Sequence, residues 1–147
     1  MKSDNSFVLT FPSKSINEGF ARSVAACFSA QLDPNLEELS DIKTAVSEAV
    51  TNAIVHAYKD CVGIITVKAQ ISGSKLHITV KDSGQGIPDI EKAMQPLFTT
   101  GGCDRSGMGF TIMESFMDKV KVRSKPGKGT TVDMWKNISP RLSGAIS

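Results

Sequence analysis

The run from residue 36 to 57 constrains this chain more than any other stretch. Leu39, Ile42, Val46, Ala49, Ala53 and Ala57 recur at spacings of three and four, which makes one buried stripe of a long helix. Glu48 and Asn52 stand four apart, so they share a face beside that stripe. Asn is a mediocre helix former, because its side chain competes for backbone hydrogen bonds. An Asn one turn beyond a carboxylate, against a core face, therefore invites a functional reading. The helix alone leaves two readings open: both side chains face solvent, or both serve a site.

The flanking sequence supplies the rest of a fold. Residues 6–11 read as a strand with Phe7, Leu9 and Phe11 on one side, stopped by Pro12. Ser13 or Ser15 caps a first helix, and Glu18 stands three after Ser15 as in a capping box. That helix runs to about Gln31, with Ile16, Phe20, Val24, Cys27 and Phe28 as its apolar side and Arg22 off it. Asp33-Pro34 marks the start of the second helix. Residues 64–71 and 75–81 alternate as two strands of a hairpin across Ser72-Gly73-Ser74. A short helical piece is expected near 89–94, and a helix over 110–116. Strands are expected at 119–124 and 130–135, across the turn Pro126-Gly127-Lys128-Gly129. The order predicts an α/β two-layer sandwich, with helices on one face of a mostly antiparallel mixed sheet. The domain is expected over 1–138, with a flexible tail over 139–147.

With 147 residues the chain suits one domain. A net charge of +2 and the lack of a compact basic cluster argue against direct DNA binding. Cys27, Cys61 and Cys103 are far apart, fit no zinc spacing and suit a reducing cytoplasm. No signal peptide and no membrane-length apolar run are present.

Four local features are weak separately: Glu48 with Asn52, Asp82-x-Gly84-x-Gly86, Gly107-x-Gly109, and Gly129-Thr130. In this order they suggest a nucleotide pocket. Asp82 can accept a hydrogen bond from an exocyclic amine such as that of adenine. Gly84 and Gly86 let the backbone run against base and sugar. Gly107 and Gly109 present N–H donors at a helix start, suited to phosphate oxygens. Asn52 offers a neutral oxygen to Mg²⁺, and Glu48 can accept a proton from an attacking hydroxyl or water. His56 continues that side of the helix and either touches the pocket edge or packs, with packing favoured. The strand-then-GxxxxGKS element of a P-loop is absent, as are the HRD and DFG segments of the usual protein kinases.

These motifs resemble those of the GHKL (Bergerat) superfamily: residues 48–52 its N box, 82–86 its first glycine box, and 107–109 its second. The stretches 47–56, 95–100 and 105–114 are more closely similar to the anti-sigma F factors of endospore-forming bacteria. The resemblance implies a GHKL serine kinase that binds its sporulation sigma factor F as a homodimer. In its other state, such a protein uses Mg²⁺-ATP to phosphorylate one serine of an anti-anti-sigma factor. By position, Glu48 would be the catalytic base and Asn52 the Mg²⁺ ligand. Asp82, Gly84, Gly86 and Thr130 would serve the adenine end, and Gly107 and Gly109 the phosphates. Residues 99–106, with Thr99 and Arg105, would form an ATP lid, and Arg22 would be presented to both partners. The alternative is a nucleotide-gated sigma-binding module without significant kinase activity.

Overall fold

The computed structural model describes residues 4–58, 61–84 and 109–139. The helical piece expected near 89–94 and the loop 99–106 lie outside the described residues. The elements are β1 (Asn5–Pro12), α1 (Ile16–Ser29), α2 (Leu36–Asn52), β2 (Ile64–Ser72), β3 (Lys75–Asp82), α3 (Phe110–Phe116), β4 (Lys119–Lys125) and β5 (Gly129–Asn137). The strands form one sheet in the order β1-β2-β3-β5-β4. Every pairing among the described residues is antiparallel.

Strand alternation divides the sheet into two faces. Ile65, Val67, Ala69 and Ile71 of β2 are buried, as are Leu76, Ile78 and Val80 of β3 and Val132 and Met134 of β5. They join the buried residues of α1, α2 and α3 in a single core. The other face carries polar side chains, as the two-residue period requires. There Asp133 is nevertheless buried, because His77, Thr79 and Arg123 all donate to its carboxylate. Burial opposes its ionisation, but these hydrogen bonds outweigh that and hold its pKa below the usual carboxylate range. The expected α/β two-layer arrangement, with helices on one face, is the one observed.

Two local expectations change. The buried side of α1 is Ala21, Ala25 and Phe28, whereas Ile16 is 81% exposed, Phe20 is 51% exposed, and Cys27 is also exposed. Small side chains face α2, where bulkier ones would hold two adjacent helices apart. Nor does Ser15 make a side-chain cap. Ser13 Oγ instead accepts from Gly63 N (2.9 Å). Glu18 turns to α2, accepting from Ser47 Oγ at 2.5 Å and pairing with Arg22 at 3.2 Å. A complete capping box stands at the start of α2. Asn35 Oδ1 accepts from Glu38 N (2.7 Å), and Glu38 Oε1 accepts from Asn35 N (2.9 Å).

The expected helix 36–57 is α-helical to Asn52 and continues as a π turn over Ala53–Ala57. Single π turns are rare and recur at functional sites. Asn35→Ala is expected to lower stability by about 1 kcal/mol, the usual value of an N-cap side chain. Urea unfolding measures it; an unchanged midpoint would show that the box holds nothing.

Candidate functional site

The buried row of β3, Leu76-Ile78-Val80, ends in Asp82, which strand alternation places on the core face. Its register partner on β5 is Thr130, itself the first member of a buried row continuing through Val132 and Met134. Two polar residues thus close the ends of two apolar rows. Asp82 Oδ1 accepts from Gly84 N (2.9 Å) and Thr130 N (3.2 Å). Oδ2 accepts no hydrogen bond among the described residues. Asp82 is only 7% exposed, and this burial raises its pKa against the opposing effect of the two backbone donors.

A cleft opens beside Asp82. The end of α2 and the π turn that follows it line one wall with Asn52, Ala53 and His56, and the sheet lines the other with Val80, Thr130 and Val132. Phe110, at the start of α3, also borders it. Apolar walls around one carboxylate acceptor suit a flat ring system carrying an N–H donor. Asn52 is buried and takes its place in the cleft. His56 lines the cleft as well, which is the pocket-edge alternative and not the favoured packing.

The cleft depends on a close approach between the end of α2 and the end of β3. A Cβ on Gly84 would overlap the backbone carbonyl and side chain of Ala57. The glycine is therefore demanded by the protein's own packing before any ligand enters. Tyr58 ties the same junction. Its hydroxyl donates to Ile64 O (2.9 Å) and accepts from Ser83 N (2.7 Å). Neither Tyr58 nor its role emerged from the sequence, because it stands outside every motif and acts through residues far along the chain.

Glu48 sits one turn before Asn52 and meets the second glycine turn. Gly109 has φ +75°, and a Cβ there would overlap the Glu48 carboxylate. Gly109 is thus required twice, by a left-handed backbone and by contact with the proposed base. Thr130 Oγ1 lies 2.9 Å from Ser124 Oγ, which fixes its side chain away from free rotation. Arg22 lies on α1, outside the cleft. Gly86, Thr99, Arg105 and Gly107 lie outside the described residues.

Asp82→Asn keeps an acceptor for Gly84 and Thr130 but replaces Oδ2 with a donor. Adenine-nucleotide affinity is expected to fall about tenfold to a hundredfold, the value of a hydrogen bond to a charged group. The stability effect has a defined sign. A raised folded pKa means that ionised Asp82 subtracts stability at neutral pH, and this loss disappears as pH falls through that pKa. Wild type should therefore gain stability relative to Asp82→Asn on acidification. Calorimetric titration and unfolding from pH 7 to 4 test both; unchanged affinity or the opposite pH trend would contradict the assignment.

Residues 11–136 match the histidine kinase-like ATPase domain. An anti-sigma F factor of Thermoanaerobacter pseudethanolicus is 62% identical over 139 residues, covering 94% of this chain and 97% of that protein. The anti-sigma F factor of Geobacillus kaustophilus is 56% identical over 137 residues, covering 92% of this chain and 94% of its own. Among solved structures, the RsbU and RsbW domains of a Mycobacterium tuberculosis protein superpose with a TM-score of 0.70 at 21% identity. That match covers 93% of this chain and 33% of the other. The catalytic domain of the histidine kinase ThkA gives 0.56 at 20% identity, covering 90% and 96%. These two likenesses show the fold alone, and the two sequence relatives show more. Closely similar to them across nearly its whole length, the chain belongs to the anti-sigma F factor family.

Proposed function

We propose that this protein sequesters sporulation sigma factor F and, with Mg²⁺-ATP, phosphorylates a serine of an anti-anti-sigma partner. It would act as a cytoplasmic homodimer that binds ATP or ADP. The observation that carries the reading is the placement of Glu48 and Asn52 on successive turns of α2. Glu48 touches the Gly109 turn, while Asn52 enters the cleft that ends in Asp82.

The residues present fit the nucleotide. Asp82 retains an acceptor oxygen toward an otherwise largely apolar cleft, which suits the exocyclic amine of adenine. Gly84 and Thr130 hold that carboxylate in place from the backbone. Asn52 would supply a side-chain oxygen to Mg²⁺. By family resemblance, Gly86, Gly107, Thr99 and Arg105 would complete the base and phosphate contacts. Bound Mg²⁺-ATP supplies the phosphoryl group and the cation that offsets its charge.

The chain's own contribution is positioning and proton transfer. Glu48 would accept the proton of the partner's serine hydroxyl as that oxygen becomes the nucleophile. A carboxylate suits this task because its ionised form only accepts hydrogen bonds. Arg22, partly exposed on α1 beside Ser47 and Glu48 of α2, would engage both protein partners in turn.

Labelled ATP, Mg²⁺ and the anti-anti-sigma partner provide the test. Wild type is expected to label a partner serine. Glu48→Gln is expected to lose at least a hundredfold in rate, at the lower end of a general base's usual contribution of about 10²–10⁴, while still binding ATP. Full activity in Glu48→Gln would remove Glu48 as the base. Tight sigma binding by wild type without any transfer would leave a nucleotide-gated binding module.

A further inference from the structure

Strand alternation sends every second side chain of the sheet away from the helices. On that outer face stand Lys68 of β2, Lys81 of β3, and Lys121, Arg123 and Lys125 of β4, all exposed. Lys75 and Lys119 extend the set toward the β2–β3 turn. The strands thus place seven of the chain's 17 Lys and Arg on this face, against one of its 15 Asp and Glu, the buried Asp133. Along the sequence these residues form no compact cluster, hence the expectation against direct DNA binding. Antiparallel pairing gathers them in space.

We infer that this outer face binds duplex DNA through its phosphate backbone, without reading base sequence. The inference is independent of the kinase reading. Three observations carry it. First, the cations are available. The ion pairs among the described residues include none of these six lysines. Arg123 donates one N–H to Asp133 at 2.9 Å, and its side chain, 62% exposed, keeps further donors for a phosphate. That pairing also offsets the charge of Asp133. Asp4 and Asp118 stand at the β2–β3 turn end, where they accept from Gly73 N (2.8 Å) and Asn137 N (2.6 Å). The positive field is therefore strongest toward the other end, around Lys81, Arg123 and Lys125.

Second, the shape suits a rod of phosphates. Lys68, Lys81 and Arg123 line a hollow of ≈ 1180 Å³ open to solvent, with Thr66, Thr79 and Thr131 among them. Lys68, Thr79, Asp133 and Lys121 form one cross-strand row. Its two lysines stand three strand spacings apart, about 14 Å. The two backbones of a DNA duplex are separated by a similar distance, about 12 Å, across the major groove. Hydroxyls between the cations can donate to phosphate oxygens. A flat bilayer surface would meet only the rim of such a hollow.

Third, the face lacks what other occupants need. Protein interfaces centre on apolar and aromatic anchors and disfavour lysine. The exposed apolar residues of this face, Val8 and Ile64, lie toward β1, away from β4. Single strands bind by stacking bases on open aromatic rings. The chain's one Trp, Trp135, instead stacks on His77, with ring centroids 4.5 Å apart and an interplanar angle of 14°. From the neighbouring strand on its other side, Lys119 Nζ lies 5.2 Å from the Trp135 ring centroid. Neither ring face is open to a base. The helices and the cleft lie across the sheet, so DNA held here would leave them accessible.

Fluorescence anisotropy of a labelled, mixed-sequence DNA duplex titrated with the full chain tests the inference. Wild type is expected to bind with a Kd of about 10⁻⁴–10⁻⁶ M at physiological salt, the range of non-specific complexes. The logarithm of its affinity should fall with that of salt concentration at a slope of about −4, the value for about four or five phosphates. Lys81→Gln combined with Lys121→Gln is expected to weaken binding at least tenfold and to reduce the slope by about 2, roughly one per lysine. Lys81→Arg combined with Lys121→Arg keeps both charges and should bind as wild type does. Lys43→Gln removes an exposed lysine of α2, on the helix side, and should leave affinity and slope unchanged. No binding at low salt, full binding by the double Gln variant, or an equal loss in Lys43→Gln would overturn the inference. Tighter binding to single-stranded DNA of the same length, or to phosphatidylserine vesicles, than to the duplex would overturn it too, marking a base-stacking or a membrane surface instead.

Discussion

The site rests on one close contact, the approach of the π turn after α2 to the residues just beyond β3. Ala57 and Gly84 meet there so tightly that no side chain fits at position 84. Tyr58 clamps the same junction by bridging Ser83 N and Ile64 O. Its ring in turn occupies the space that a Cβ on Gly63 would need. This contact sets the distance between Asn52 and His56 on one wall of the cleft and Asp82 on the other. Loosening it would separate the proposed metal ligand from the proposed adenine acceptor without altering either residue.

The sheet prepares the other half of the site through its register. Alternation fills the core face with apolar side chains until the rows of β3 and β5 end together at Asp82 and Thr130. A carboxylate at that position has lost much of its water, which raises its pKa, and backbone donors compensate only in part. A ligand donor aimed at Oδ2 would supply what burial removed. The opposite face solves the same problem internally, since Asp133 receives three side-chain donors and stays readily ionised. Two buried carboxylates on one sheet thus differ in purpose: one is fully satisfied by the fold, and the other keeps an acceptor in reserve.

Much of this was legible before any coordinates. The α2 stripe, the β2–β3 hairpin and the final hairpin follow from periods of 3.6 and 2, and those periods survive in the structure. The family resemblance, not any pattern of the residues themselves, puts Asp82 and Thr130 together at the adenine end. The errors have a common cause: short-range patterns fit more than one arrangement. Bulky apolar residues on α1 suggested a buried side, whereas the helix packs through Ala21 and Ala25 and leaves Ile16 and Phe20 outside. Ser15-x-x-Glu18 satisfies a capping pattern, but Glu18 finds better partners across the interface in Ser47 and Arg22. The π turn leaves no compositional trace. Tyr58, Gly63 and Ser83 become one unit only when three separated segments meet.

The central claim is that the end of α2 and the ends of β3 and β5 together form the nucleotide site. Titrating the ¹⁵N-labelled protein with Mg²⁺-ADP alone tests this most directly. The account predicts amide shifts clustered at Asn52–Ala57, Asp82–Gly84, Gly109–Phe110 and Thr130, with His77, Arg123 and Asp133 on the opposite face unmoved. Shifts concentrated on that opposite face, with the end of α2 silent, would contradict it.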